Sequence, residues 1–181
     1  YGCLKIAADS DVDGKHITGL LLTYFHMRFP GLLARGFVVD YLTPIVSFRR
    51  GQQVARFYNE ISCEIWKSNT PDWEKWESKY YKGLATSKKE DVKLDASDPH
   101  FYYFFYDMDA PEALSKTFEF GREDDRKDWL ANYKPAIVEP IYNESFPISR
   151  FIDTEMILHA KDNVERTIPR LLDGLKQGHR K

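Results

Sequence analysis

The chain has 181 residues, of which 43% are hydrophobic and 15% aromatic, and its formal net charge is −2. This composition can build one sizeable domain, or one domain and part of a second, and it excludes wholesale disorder as well as a generally basic protein that coats nucleic acid. No apolar run reaches membrane-spanning length, so we expect no membrane partner, and the two cysteines, Cys3 and Cys63, are expected to be reduced thiols.

The first predicted elements are a strand, an acidic loop and a helix. Residues 4–8 form an apolar run of strand length, and the loop DSDVDG, residues 9–14, follows directly. Apolar residues then recur at i, i+3, i+4, i+7 and i+8, which predicts an amphipathic helix that ends at Pro30 and Gly31. The residues of its apolar face are Ile17, Leu20, Leu21, Tyr24 and Phe25.

Further strands and helices follow along the chain. Residues 37–42, 45–48 and 54–58 are predicted strands, 59–76 is helix-like, and 87–98 is a polar segment that we expect to be a mobile surface stretch. The dense aromatic run HFYYFFY, residues 100–106, predicts a strand covered on both faces. Short helices are predicted over 109–116 and 122–131, and helical structure returns at residue 148. This order of elements indicates an α/β domain.

The acidic loop carries the first functional signal. Asp9, Asp11 and Asp13 are two residues apart, so in an extended loop their carboxylates point the same way and predict a cation site. Hard oxygen ligands favour Mg²⁺ or Ca²⁺. A calcium EF-hand is excluded, because its twelfth position requires Glu and here holds Leu20. The prediction is magnesium at the carboxyl end of a strand, and the alternative is a solvated acidic turn that caps the helix.

Four segments in the chain resemble the type IIA DNA topoisomerases, in the order of that family and over nearly the whole chain. They are DSDVDGKHITGLL, WESKYYKGLATS, EDDRKDWL and NVERTIPRLLDGLKQGHRK. The eukaryotic and large-DNA-virus branch fits better than bacterial gyrase. Ala85 and Gln177 depart from the family pattern, which has glycine and proline there, so the resemblance is to a divergent member.

The resemblance implies a fold and a domain order. The expected fold is a Rossmann-like TOPRIM core with a mostly parallel sheet over residues 1–134. A linker over 135–147 and the first helices of a winged-helix domain over 148–181 are expected to follow. The family's catalytic glutamate and its DNA-attacking tyrosine are expected outside residues 1–181, so no catalytic set is complete in this chain.

The resemblance also implies the site residues. Asp9, Asp11 and Asp13 are expected to hold Mg²⁺, with Mn²⁺ or Ca²⁺ as substitutes. Positively charged residues are expected to contact the DNA backbone, namely Lys82, Arg126, Lys127, Lys176 and Arg180. For Arg126 and Lys127 the alternative is a surface helix that carries its own ion pairs. For Lys82 the alternative is a residue that only flanks a turn. His16 and His26 are expected to be hydrogen-bonded structural histidines.

The implied function is part of the DNA cleavage and religation core of a type II topoisomerase, an isomerase that is a homodimer, binds double-stranded DNA and uses ATP elsewhere in its chain. We expect the nucleus for a cellular protein and the host cytoplasm for a viral one. The alternatives are another Mg²⁺-dependent phosphoryl-transfer domain, such as a primase-like TOPRIM protein or a phosphatase, and a plain divalent-cation-binding module. The two separated basic segments, DDRK and DGLK, argue against a small-molecule phosphatase.

Overall fold

A computed structural model describes residues 1–81, 89–134 and 142–178. The strands are β1 (Leu4–Ile6), β2 (Val38–Leu42), β3 (Val46–Arg50), β4 (Gln53–Phe57), β5 (Glu77–Tyr80), β6 (His100–Phe105) and β7 (Ser145–Pro147). The helices are α1 (Val12–Arg28), α2 (Pro30–Ala34), α3 (Glu60–Asn69), α4 (Lys89–Ser97), α5 (Ala110–Phe118), α6 (Glu123–Ala131), α7 (Ile148–Phe151) and α8 (Ile157–Gly178). A 3₁₀ turn covers Trp73–Lys75, and a π-helical segment, Ile152–Met156, joins α7 to α8.

Seven strands form two sheets in the described ranges. The first sheet has the order β1-β2-β6-β7, in which β1 with β2 and β6 with β7 are parallel and β2 with β6 is antiparallel. The second sheet, β4-β3-β5, is antiparallel throughout. The predicted α/β class is confirmed. The first sheet is parallel in two of three pairings, and the sequence pattern does not predict the second sheet.

The main core lies where the first sheet meets α1, α5, α7 and the π-helical segment. Its fully buried members include Leu22, Leu114, Ile148 and Phe151. A smaller core, built on the second sheet, packs Val46, Phe48 and Phe57 with Cys63. Cys63 is thus buried, whereas Cys3 is exposed. No helix in the described ranges is both long enough and apolar enough to cross a membrane.

Helix α1 buries a different face from the one its apolar spacing indicates. Ile17, Leu20 and Tyr24 are about half exposed, and the buried positions are Gly14, Lys15, Thr18, Gly19 and Leu22. A Cβ atom at Gly19 would lie 2.9 Å from the Phe118 ring and 3.3 Å from the Met156 sulfur. Small residues therefore let α1 approach α5 and the π-helical segment closely. The prediction is confirmed for the helix itself but wrong for these three apolar residues.

Two other local predictions need correction. The polar stretch expected to be a mobile surface segment contains α4, whose Asp95 is buried beside Arg56. Strand β6 is not covered on both faces, because Tyr103 and Phe105 are 44% and 52% exposed. The last residues of the predicted linker form β7, which pairs with β6, and the division into domains stays a prediction. As predicted, α1 ends before Pro30, which is the first residue of α2.

Candidate functional site

The acidic loop connects the end of β1 to the start of α1. Gly14 lies in the first turn of α1, and a Cβ atom there would lie 1.9 Å from the carbonyl oxygen of Asp9. Real Cβ contacts do not come this close, so only glycine lets the loop fold back against the helix in this way. The side chain of Ser10 contacts both the carbonyl and the hydroxyl of Thr43, which ties the loop to the residues after β2.

The three aspartates of the loop have different surroundings. Asp11 is the N-cap of α1, and its Oδ1 accepts a hydrogen bond of 2.8 Å from the Gly14 amide. Asp9 and Asp11 line a large cleft, of which Asp13 is not part. Because α1 begins at Val12, Asp13 is a helical residue, and successive side chains on a helix turn by about 100°. The expected convergence of all three carboxylates is therefore not met.

Asp13 instead lies against a histidine of α8. Its Oδ1 is 3.4 Å from Nε2 of His159, whose side chain is only 9% exposed. The rings of His159 and His16 are stacked at 4.2 Å between centroids. Burial, followed by the nearby His159, lowers the pKa of His16 below the ordinary histidine value, while Asp13 opposes the shift. His159 is a site residue that the sequence pattern does not predict, since a lone histidine 146 positions after Asp13 gives no spacing signal.

A buried ion pair lies directly behind the loop. Nζ of Lys15 is 3.0 Å from Oδ2 of Asp40 on β2, and the two side chains are 11% and 3% exposed. The hydroxyl of Thr18 donates a hydrogen bond of 3.3 Å to the other oxygen of Asp40, and Nζ of Lys15 lies 5.3 Å from the centre of the Tyr102 ring. This cluster fixes the first turns of α1 on the first sheet.

The cleft lined by Asp9 and Asp11 has a volume of about 1680 Å³ and carries both signs of charge. Arg122 binds Glu112 and Asp125, and Lys116 lies 3.2 Å from Asp153. Other cationic side chains on its wall are Lys15, Lys67, Lys134 and Arg150. The wall therefore presents positive groups held in place by neighbouring carboxylates, together with aromatic side chains such as Tyr58, Tyr81 and Tyr102.

Burial raises the pKa of tyrosines in and near this cleft. The pKa of Tyr58 rises to about 12, and its ring stacks on His100 at 4.2 Å. Tyr58 therefore contributes packing to the cleft wall. Burial raises the pKa of Tyr102 and of Tyr142 as well.

The predicted DNA contacts on α6 have unequal surroundings. Nη1 of Arg126 donates hydrogen bonds of 3.2 and 2.9 Å to the carbonyls of Lys116 and Glu119, so it satisfies the end of α5. Lys127 is 73% exposed and pairs with Asp124 at 2.6 Å. Neither residue lines the cleft, whereas Arg122, just before the EDDRKDWL segment, does. Their role in DNA binding stays a prediction.

The other predicted DNA contacts lie outside what the structure describes in side-chain detail. Lys82 and Arg180 fall outside the described residues, and Lys176 is described only as part of the backbone of α8. The segment that holds Lys176 is therefore helical, which agrees with the predicted helical structure after residue 148. His26, expected to be hydrogen-bonded, has its Nδ1 2.7 Å from the Tyr106 hydroxyl.

Only two of the three loop aspartates have carboxylates placed to bind a hard cation. In the described ranges, no group of three or more His, Cys, Asp or Glu side chains is arranged to hold a metal ion. Magnesium, however, is usually held by one or two carboxylates and keeps several water ligands. Asp9 and Asp11, which share the cleft, fit that requirement. Asp13 does not fit, because its carboxylate faces His159.

Comparison with known proteins places this geometry in a family. Residues 41–164 match the family model TOPRIM_C, the C-terminal associated domain of TOPRIM. Over its full length the chain is 37% identical to DNA topoisomerase 2-alpha of Mus musculus and of Homo sapiens, and 33% identical to DNA topoisomerase 2 top-2 of Caenorhabditis elegans. It spans 13% of the length of each of these relatives.

The fold gives the same result. The DNA-binding, cleavage and re-ligation domain of Plasmodium falciparum topoisomerase II superposes with a TM-score of 0.79 at 34% identity, over 92% of this chain and 23% of that one. Agreement along the whole chain does not favour the alternative of an unrelated phosphoryl-transfer domain. The chain therefore belongs to the TOPRIM_C family, the C-terminal associated domain of TOPRIM, and is homologous along its length to type II DNA topoisomerases.

Proposed function

We propose that the chain is part of the DNA cleavage and religation core of an ATP-dependent type II DNA topoisomerase. The complete enzyme would change DNA topology by passing one duplex through a transient double-strand break in another. The observation that carries this proposal is the position of Asp9 and Asp11, at the carboxyl end of a strand and on the wall of a cleft that also bears Lys116, Arg122 and Arg150. The family relationship supports a DNA backbone as the substrate of this cleft.

The two carboxylates in the cleft would hold Mg²⁺, for which Mn²⁺ or Ca²⁺ could substitute. A bound Mg²⁺ would supply Lewis-acid stabilisation of the charge that develops on the scissile phosphodiester. The protein's own contribution is to keep Asp9 and Asp11 in place. Gly14 permits the tight loop, the cap on α1 orients Asp11, and the Lys15–Asp40 pair anchors the helix behind them.

The positive groups of this chain would bind and orient the DNA backbone. Carboxylates hold Arg122 and Lys116 on the cleft wall, so less side-chain entropy is lost when either binds a phosphate. Residues 159–181 contain six Lys or Arg and three Asp or Glu, a local net charge of +3. The proposed DNA contacts are Lys82, Arg126, Lys127, Lys176 and Arg180. Phosphate contacts of this kind position the duplex without reading its sequence.

The remaining parts of the proposal concern the complete protein. It would act as a homodimer on double-stranded DNA, with ATP bound elsewhere in its chain. The proposed domain order is TOPRIM over residues 1–134, a linker over 135–147 and the start of a winged-helix domain over 148–181. The proposed location is the nucleus for a cellular protein and the host cytoplasm for a viral one.

Replacement of one carboxylate in the full-length parent enzyme tests the proposal. We expect Asp9→Ala to abolish plasmid cleavage and relaxation, while fluorescence anisotropy still detects DNA binding. The matched control is Asp109→Ala, because Asp109 is an exposed carboxylate outside the cleft whose side chain makes no capping hydrogen bond. Cleavage at the unchanged rate in Asp9→Ala would refute the proposed site, and loss of cleavage in both variants would show that the assay reports general damage.

A further inference from the structure

Asp13 is separated from the other two carboxylates by the geometry of α1. Asp9 and Asp11 precede the helix and face the cleft, while Asp13 lies in its first turn with a side chain that is 59% exposed. Exposure alone would leave this carboxylate able to sample several rotamers, including ones nearer the cleft. A partner that fixes the rotamer would decide whether the cleft presents two carboxylates or three.

His159 has the geometry of such a partner. It is buried, its ring stacks on His16 with an interplanar angle of 11°, and the side-chain nitrogen of Asn163 lies 3.1 Å from its Nε2. Stacking on His16 restricts the imidazole ring, whose Nε2 lies 3.4 Å from Oδ1 of Asp13. A buried, stacked ring loses little further freedom when it contacts the carboxylate, so the contact can hold the exposed partner.

The number of carboxylates in the cleft matters for the cation. Magnesium needs near-octahedral geometry and retains waters, so a third carboxylate would displace a water ligand or add repulsion between like charges. Two carboxylates leave coordination positions available for water and for phosphate oxygens. A contact that holds the Asp13 carboxylate outside the cleft would therefore keep these coordination positions available.

We infer that His159 is a positioning residue, which holds the Asp13 carboxylate outside the cleft so that the cation site is formed by Asp9 and Asp11 alone. This inference deepens the proposed function and rests on it. In this role His159 contacts neither the cation nor DNA. It acts only through Asp13, across the contact between the first turn of α1 and the start of α8.

The test measures Mn²⁺ binding to the full-length parent protein by electron paramagnetic resonance, without nucleotide, which needs no catalysis. In the unchanged protein, Asp13→Asn should alter Mn²⁺ affinity by less than about twofold, whereas Asp9→Asn should lower it on the order of tenfold or more. In a His159→Phe background, which keeps an aromatic ring against His16 but removes the nitrogen, Asp13→Asn should alter the affinity by about fivefold or more.

Three further variants separate positioning from general structure. His159→Leu also removes the ring nitrogen and replaces His159→Phe should that variant fail to fold, with the same fivefold effect of Asp13→Asn expected. His159→Gln keeps a side-chain N–H, so Asp13→Asn should have less than about a twofold effect in that background. His26→Phe alters a histidine at the far end of α1 and should leave the effect of Asp13→Asn unchanged.

The outcomes distinguish the inference from the proposed function. A tenfold loss of affinity from Asp13→Asn alone would make Asp13 a ligand and overturn the inference. An Asp13→Asn effect of the same size in the unchanged protein, the His159→Phe background and the His159→Gln background would overturn it as well. If Asp9→Asn leaves Mn²⁺ binding unchanged, the proposed cation site itself fails, whatever the Asp13 variants do.

Discussion

Replacement of Gly14 by alanine should destabilise the chain, although alanine normally stabilises a helix. Glycine inside a helix costs about 1 kcal/mol relative to alanine, so helix propensity alone predicts a gain. The added Cβ, however, would lie 1.9 Å from the Asp9 carbonyl oxygen and 2.9 Å from its carbonyl carbon. Ordinary contact would require a backbone shift of more than 1 Å, and overpacking of this kind costs about 1–3 kcal/mol or more. Because the clash is with backbone atoms, we expect a cost at the upper end of this range and a net loss of about 2 kcal/mol or more.

Gly31→Ala is the matched control for this prediction. Gly31 is also helical, in α2, but a Cβ atom there would meet nothing within 4 Å. It should be neutral or stabilise the chain by a few tenths of a kcal/mol up to about 1 kcal/mol. Urea unfolding of the 181-residue chain, followed by circular dichroism, gives both values. Equal effects of the two substitutions would refute the close approach of loop and helix.

The same substitution should also impair the proposed chemistry. A backbone shift at Asp9 moves one of the two carboxylates of the cleft, and displacements of about 1 Å can cost on the order of a hundredfold in rate. In the full-length parent enzyme, Gly14→Ala should therefore slow plasmid cleavage much more than Gly31→Ala does. If Gly14→Ala destabilises the enzyme but leaves cleavage unimpaired, the position of this loop does not determine the proposed cation site.

Three further predictions test the packing around the site. Lys15→Met should destabilise the chain by about 3–5 kcal/mol in urea unfolding, because it leaves Asp40 charged and buried, and a second change, Asp40→Leu, should recover much of the loss. Leu22→Ala should lower the free energy of unfolding by about 2–5 kcal/mol, because Leu22 is fully buried. Leu20→Ala should lower it by less than about 0.5 kcal/mol, because Leu20 is 46% exposed, and equal losses would mean that the buried face of α1 is assigned wrongly. Burial lowers the pKa of His16, so just below the ordinary histidine pKa the unfolded chain binds more protons than the folded chain. The free energy of unfolding should therefore fall as pH falls through this window. His16→Gln should reduce this fall, as measured by thermal unfolding at a series of pH values.

The sequence predicts the parts of the fold that depend on local pattern. The strand before the acidic loop, the existence of α1 and the α/β class follow from periodicity and from Gly and Pro positions. The buried face of α1 does not, because hydrophobic spacing points to Ile17, Leu20 and Tyr24, while the buried positions include the small residues Gly14, Thr18 and Gly19. Apolar periodicity cannot reveal an interface made by small residues.

The candidate site is predictable in composition but not in geometry. The DSDVDG motif identifies Asp9 and Asp11, which share the cleft. The same alternating spacing also predicts that Asp13 lies beside them, because it assumes that the loop is extended. The helix begins at Val12, earlier than the apolar pattern suggests, and this rotates Asp13 toward His159. Contacts between residues so distant in the chain depend on tertiary packing, which a single sequence does not encode in any local spacing.

Helix α8 joins two functional regions of the chain, with His159 in its first turn beside the acidic loop and the backbone of Lys176 in its last turn. Pro169 lies between them in the interior of the helix, where a proline removes one backbone hydrogen bond and favours a kink. The two halves of α8 can therefore bend relative to each other at Pro169. A shift of the last turn need not disturb the contact between His159 and Asp13.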